Sequence, residues 1–371
     1  MSKIFNIFGT DSHLMTKNLL IASNAIKLVP PGGNVALKPN LVVAGTPDNG
    51  ATTHPGVLSG CIEYFRDNGV KDISVIEGSW IAADTMRAMK RAGYDEVCKK
   101  YNVPFYDLKK DKTRAVGSNI GPIEICCKAL DAGLLVDLPV LKGHCQTVMT
   151  CALKNLKGCL PDREKRRFHS LGLTKPIAAL GSVLKVGLII VDSICGDLDF
   201  EEGGNPVQTN RMFLGTDPVM IDAYGCELMG LNISQVAYIK LAENWGAGQT
   251  AYTQNDIINL NEPDNAGKYP KPSGIVTNLI RNVHEDSACS ACFASLVRAL
   301  HVNNKGLVEN IYIGQGWRGK KISGSSLGIG NCCINSDRCV RGCPPSAKKI
   351  AEMFLQKNTD NELTELNGLI L

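Results

Sequence analysis

Ala132-Gly133-Leu134-Leu135-Val136-Asp137-Leu138-Pro139 is an apolar run of strand length that closes on a proline and is followed, after Val140 and Leu141, by the polar tract Lys142-Gly143-His144. A strand that is apolar at nearly every position, rather than at alternate ones, has both faces covered, as a parallel strand between layers of helix does. This run decides the fold class.

Working outward, residues 35–38 read as a second strand that delivers a polar loop at 42–54. Val57, Leu58, Cys61, Ile62 and Phe65 then recur at helical spacing within 55–69, and residues 72–77 return to strand character. Strand, helix and strand in that order make a parallel crossover the economical reading. Further helix is expected at 85–100 with Gly93 as an interruption, and further strands at 103–108, 188–192 and 212–215, with an edge hairpin strand at 123–126. Thr216-Asp217-Pro218 reads as an N-cap and first turn of the next helix. The expected architecture is α/β, a mainly parallel sheet flanked by helices, with a small C-terminal cysteine-rich α/β module. Residues 262–273, rich in Pro, Gly and Asn, are the best linker, and the expected domains are 1–278 and 279–371.

The 371 residues are 44% hydrophobic and 20% charged, which excludes a disordered or low-complexity chain. A net charge of +4 is too mild to imply nucleic acid and suits a small anionic substrate. The first residues do not read as a signal peptide, and no stretch reads as a membrane helix, so the expected compartment is the cytoplasm, with no membrane partner. Fifteen cysteines there would stay reduced, which points to metal or redox chemistry rather than disulfides.

Six of those cysteines crowd the C-terminal module: Cys289 and Cys292 in a Cys-x-x-Cys turn, then Cys332, Cys333, Cys339 and Cys343, the last followed by proline. Thiolate-ligated iron–sulfur clusters use such contexts. The expected ligands of one [4Fe-4S] cluster are Cys289, Cys292, Cys332 and Cys343, with Cys333 and Cys339 as substitutes; zinc is the structural alternative. Six cysteines cannot complete two four-thiolate sites without Cys145, Cys151 or Cys159, which otherwise read as packing residues, as do Cys126, Cys127 and Cys195. Gly314-x-Gly316-x-x-Gly319 matches a bare dinucleotide pattern but precedes no evident helix, and a flavin remains open.

The tract after the opening strand holds Lys142, His144, Lys154, Asn155, Lys157 and His169, at the carboxyl end of a sheet strand where open α/β proteins bind ligands. Such a set can hold a carboxylate or phosphate and move a proton. His144 is the expected proton donor and Lys154 the charge clamp, with Lys142 and His169 as further catalytic candidates. Lys38, Asn40, Asn155, Lys157, Asp192, Asp217 and Asp222 are expected to line the substrate. The basic run 163–167 reads as a solvated face, and Asp217 is equally an ordinary helix cap.

Lys142-x-His144, Lys154-Asn155-x-Lys157-Gly158, His169, Asp192 and Thr216-Asp217-Pro218-x-x-x-Asp222, preceded by Lys38-Pro39-Asn40, form an ordered series that resembles the bacterial and archaeal family called domain of unknown function 362, over roughly residues 35–248. The resemblance implies an α/β fold and association with iron–sulfur proteins, and it favours iron over zinc for the cysteine tail. The leading expectation is an iron–sulfur oxidoreductase acting on a small anionic substrate. A non-redox isomerase or lyase, with the cluster as Lewis acid or staple, is the second. An electron-transfer or docking module for a redox partner protein is the third, and self-association is compatible with all three.

Overall fold

The computed structural model describes residues 3–81, 83–203, 205–262, 274–303, 310–322, 324 and 326–355. The chain forms two compact units, Met1–Ser273 and Gly274–Leu371. Most of the expected linker, from 263 onward, lies outside the described residues.

The first unit is built on an eight-stranded sheet. Its strands are β1 (Ile4–Phe8), β2 (Val35–Pro39), β3 (Ile73–Glu77), β4 (Phe105–Asp107), β5 (Leu134–Leu138), β6 (Leu188–Asp197), β7 (Pro206–Gly215) and β8 (Ile257–Asn259). Across the sheet the order is β8, β1, β7, β6, β5, β2, β3, β4. Every neighbouring pair is parallel except the two that involve β7. The fold is therefore α/β with a mostly parallel sheet, and the opening run 134–138 is its buried β5.

Burial follows the two-residue period of a strand. Val35 and Leu37, Leu134 and Val136, and Leu188 and Ile190 enter one hydrophobic cluster. Ala36, Leu135, Ile189 and Val191 enter the other. The first face is covered by helices Ser12–Ala22, Pro55–Asp67 and Tyr94–Tyr101, through residues such as Leu19, Phe65 and Tyr94. The second is covered by Thr174–Val183, Pro218–Leu228 and Ala237–Asn244, through Ile177, Val219 and Ile239. Two covered faces are why the central strands read as solid apolar runs rather than alternating ones.

Three local departures have tertiary causes. β6 runs to Asp197 rather than 192, because antiparallel pairing with β7, past an irregularity between Ser193 and Cys195, extends a segment whose glycine reads as loop. Strand 123–126 pairs with Thr113–Val116 in its own hairpin and does not edge the main sheet. Strand β1 gave no clear sequence signal; its pairing with β7, some two hundred residues away, defines it.

In the second unit, Val283–Glu285, Asn310–Ile313, Ser326–Ile329 and Arg338–Val340 form a four-stranded parallel sheet in chain order. Helix Ser290–Asn303 buries Phe293, Leu296 and Val297. The glycine pattern from Gly314 leads into a short 3-10 turn, Gln315–Trp317, rather than an α-helix, as expected for a chance match.

Candidate functional site

The carboxyl ends of β2, β3, β5 and β6 gather the polar residues that the apolar strands otherwise exclude. Lys38 faces Asp137 across the β2–β5 ladder and places its Nζ 2.6 Å from Glu77 Oε2, all three side chains being shut off from water. Burial would lower the Lys38 pKa, but Glu77 and Asp137 outweigh it and keep the amine charged. Asn40 donates to Asn155 Oδ1 at 2.9 Å, and Asn155 donates to Asp137 at 2.8 Å. Burial pushes the Asp137 carboxyl up to about 7. Gly158 permits this approach, since a Cβ there would fall 2.0 Å from Glu77 Oε1.

Beyond β5, the hairpin Lys142–His144 and Val148–Thr150 lies against the loop between β6 and β7. Gly143 makes that contact: a Cβ would sit 1.9 Å from the Leu198 carbonyl oxygen. Asp197 shapes the loop by accepting the N–H groups of Asp199, Phe200 and Asn205. Lys142 donates to the carbonyls of Ala51 (2.6 Å) and Glu201 (2.8 Å), and burial with the nearby Lys154 charge brings its pKa down to about 7.

Glu201 is thereby carried into the basic tract. Its Oε2 contacts His144 Nε2 and lies 3.7 Å from Lys154 Nζ. His144 Nδ1 accepts the N–H of Gln146 (3.0 Å) and of Thr147 (3.3 Å), so the neutral ring carries its proton on Nε2, facing the carboxylate. Burial and the charges of Lys154, Lys157 and Lys142 hold its pKa well below the ordinary range. Atoms of His144, Cys145 and Glu201 lie within 4.8 Å of one another, close enough to hold a metal ion. Cys145 is half-buried, unlike Cys126, Cys151, Cys159 and Cys195, which are buried as packing residues. Val148, the first residue of the second hairpin strand, has φ 67°, a conformation a β-branched residue takes only under strain.

Of the remaining candidates, Lys157, His169, Asp192 and Asp222 lie about this tract, whereas Asp217 stands at the opposite end of the sheet, beside the amino end of β6. Asp222 accepts the N–H groups of Ala152 (2.7 Å) and Leu153 (3.3 Å) and so caps the short helix Ala152–Asn155 that carries Lys154 and Asn155. Burial raises its carboxyl to about 8. Asp217 caps helix Pro218–Leu228 and also accepts the Gln249 N–H. Asp192, wholly buried, accepts the His54 N–H and contacts His54 Nδ1 at 2.8 Å. Lys157 Nζ lies 3.2 Å from His169 Nε2. The basic run proves mixed, for Arg163 is exposed, whereas Lys165 is buried and donates to the Gly78 and Ser79 carbonyls.

Glu77, Asp137 and Glu201 are not among the residues that the sequence alone points to. Glu77 and Asp137 had one usable signal, an ionisable residue at the end of a buried strand; Glu201, in a loop, had none.

In the second unit the Cys292 thiol is pushed up by burial and then by the neighbouring Cys289, Cys343, Cys332 and Cys333. Arg318 donates to Cys332 Sγ at 3.5 Å and also feels Cys343 and Cys289. Gly330, at φ +86°, lies close enough that a Cβ would come 3.6 Å from Cys292 Sγ. Cys333 is buried with its thiol toward the Gly314 carbonyl, and Cys339 points to the Gly330 carbonyl. Cys292 and the four cysteines that act on it, with Arg318 beside them, include enough thiols for the four-thiolate donor set of an iron–sulfur cluster.

The model of a family described as domain of unknown function (DUF362) matches residues 35–227, just over half of the chain. The thylakoid-associated protein sll1697 of Synechocystis sp. is 24% identical over 235 residues, which cover 60% of this chain and 71% of that protein. The structure of the lactate racemase apoprotein from Thermoanaerobacterium thermosaccharolyticum matches at 16% identity and a TM-score of 0.45, over 62% of this chain and 57% of that one. No helix among the described residues is long and apolar enough to cross a membrane.

Proposed function

The chain belongs to the DUF362 family, and from that premise we propose that it is an iron–sulfur oxidoreductase acting on a small anionic substrate. What supports the redox half is that Cys289, Cys332, Cys333 and Cys343 all neighbour Cys292, with Arg318 donating to Cys332 Sγ at 3.5 Å; of these, Cys289, Cys292, Cys332 and Cys343 are the ligands we propose. When bound there, a [4Fe-4S] cluster supplies one-electron transfer. Arg318 offsets the negative charge that four thiolates accumulate.

In the first unit, Lys154 and His144 act on the substrate anion, one through its charge and the other through its Nε2–H. Lys142 and Asp222 hold the backbone around them, and the Lys38, Glu77, Asp137, Asn155 and Asn40 network keeps the floor in place. A redox partner protein supplies or removes the electrons.

The deciding experiment is anaerobic purification with iron, acid-labile sulfide and EPR analysis. Four irons and four sulfides per chain are expected for one such cluster. Stoichiometric zinc without sulfide would overturn the reading.

One observation favours a non-redox isomerase or lyase as the second reading. Burial and the Lys154 charge bring the Lys142 amine down to about 7, so near that pH it passes between its neutral and charged forms, as a group that takes up a proton must. Turnover of a substrate without any external electron donor or acceptor would establish it.

A further inference from the structure

The Glu201 carboxylate sits badly for a structural ion pair. It is almost wholly buried, its Oε2 meets His144 Nε2 and stands 3.7 Å from Lys154 Nζ, and its Oε1 has no hydrogen-bond partner among the described residues. His144 Nε2 is buried as well and turns its N–H on that carboxylate. Buried carboxylates normally have both oxygens satisfied, so an orphaned oxygen on a buried carboxylate among cations calls for a cause.

A metal ion bridging His144, Cys145 and Glu201 is the first explanation to consider, since their atoms lie within 4.8 Å. Two features oppose it. His144 Nδ1 accepts two backbone N–H groups, which leaves the proton on Nε2, where a metal would need the lone pair. Lys142, Lys154 and Lys157 also all act on Glu201, so the surroundings favour an anion and repel a cation.

We propose that the Glu201 side chain is an internal stand-in for the carboxylate of the substrate, a small carboxylic acid that displaces it between Lys154 Nζ and His144 Nε2. The backbone does not have to move for the exchange. Lys142 holds the Glu201 carbonyl at 2.8 Å and Asp197 holds the loop, so the side chain rotates out while its peptide stays. The remainder of the acid lies toward Cys145, the least buried member of the group. This inference rests on the anionic-substrate half of the proposed function and narrows it from any small anion to a carboxylate.

The test is Glu201→Ala in the full chain, with thermal unfolding followed against acetate, propionate and inorganic phosphate at constant ionic strength. The variant is expected to unfold at lower temperature than the wild type. Acetate or propionate should restore it saturably, at a concentration at least about tenfold below that needed to shift the wild type, while phosphate should not. Adding Lys154→Met should abolish the response. Absence of a carboxylate-specific shift, or the same shift with Lys154→Met, would overturn the proposal. So would a stoichiometric metal ion in the wild type that both Cys145→Ser and Glu201→Ala release. If the alanine variant does not fold, Glu201→Gln replaces it: acetate affinity by calorimetry should rise about tenfold, and an unchanged affinity overturns the proposal. Iron and sulfide counts on the same samples keep the two ideas apart, since a missing cluster would remove the redox reading and leave the carboxylate result standing.

Discussion

Lys38 Nζ and Glu77 Oε2 lie 2.6 Å apart at the carboxyl ends of β2 and β3, with neither side chain open to water. An ion pair in such a place depends on both members, because removing one strands the other charge in a low-dielectric interior.

Lys38→Met is therefore expected to cost about 3–5 kcal/mol, and Lys38→Met with Glu77→Leu to recover most of that loss, since a buried pair replaced as a unit is often neutral. Urea unfolding of the two single variants and the double variant measures the coupling. Equal losses in the single and double variants would show that the pair is not a unit.

Asp137 sets a pH dependence. The folded state holds its proton up to about pH 7, whereas an ordinary aspartate releases it near 3.8. The folded form therefore binds more protons between these values, and stability is lost as pH rises through 7. The difference of about 3 units is on the order of 4 kcal/mol. Asp137→Asn, which keeps an acceptor for Asn155, is expected to flatten this loss in denaturation curves taken from about pH 4 to 8.

Asp222 is expected to act through the helix it caps. Asp222→Ala removes the acceptor of two buried N–H groups and should cost about 2–4 kcal/mol, while Asp222→Asn, which keeps one acceptor, should cost less than half of that. Hydrogen exchange at Ala152 and Leu153 checks the cause: if protection there is unchanged in the alanine variant, capping is not its role.

Gly143→Ala is expected to part the hairpin from the loop before Glu201 and to cost about 1–3 kcal/mol by overpacking. Gly117→Ala, where a Cβ meets nothing, is the control, and thermal unfolding of both reports the difference.

For the cysteines, single serine replacements of Cys289, Cys292, Cys332 and Cys343 are expected to empty the site of iron, whereas Cys333→Ser and Cys339→Ser should retain it. The latter two thiols face the carbonyls of Gly314 and Gly330. Arg318→Gln should lower the midpoint potential, because a cation beside the thiolates favours the reduced, more negative state. The shift should be on the order of tens of millivolts and should shrink with added salt.

Sequence by itself determined what depends on local pattern. The apolar run at β5, the helical spacing of Val57, Leu58, Cys61, Ile62 and Phe65, and the ordered Lys, His and Asp motifs were enough for a mostly parallel α/β sheet and for the family. Period and burial are linked residue by residue, so those features survive without coordinates.

Only the tertiary structure decided which charges meet. Glu77 comes to Lys38 from the next strand, and Glu201 comes to His144 and Lys154 across about fifty residues, through a contact that Gly143 makes room for. It also separated residues that look alike in the sequence: Asp222 became a helix cap, Lys142 a backbone clamp and Lys165 a buried donor, while Arg163 stayed on the surface. A charged side chain carries no period to show its partner. What it does is set by the desolvation it suffers and the counter-charge it finds, and both exist only once the chain has closed around it.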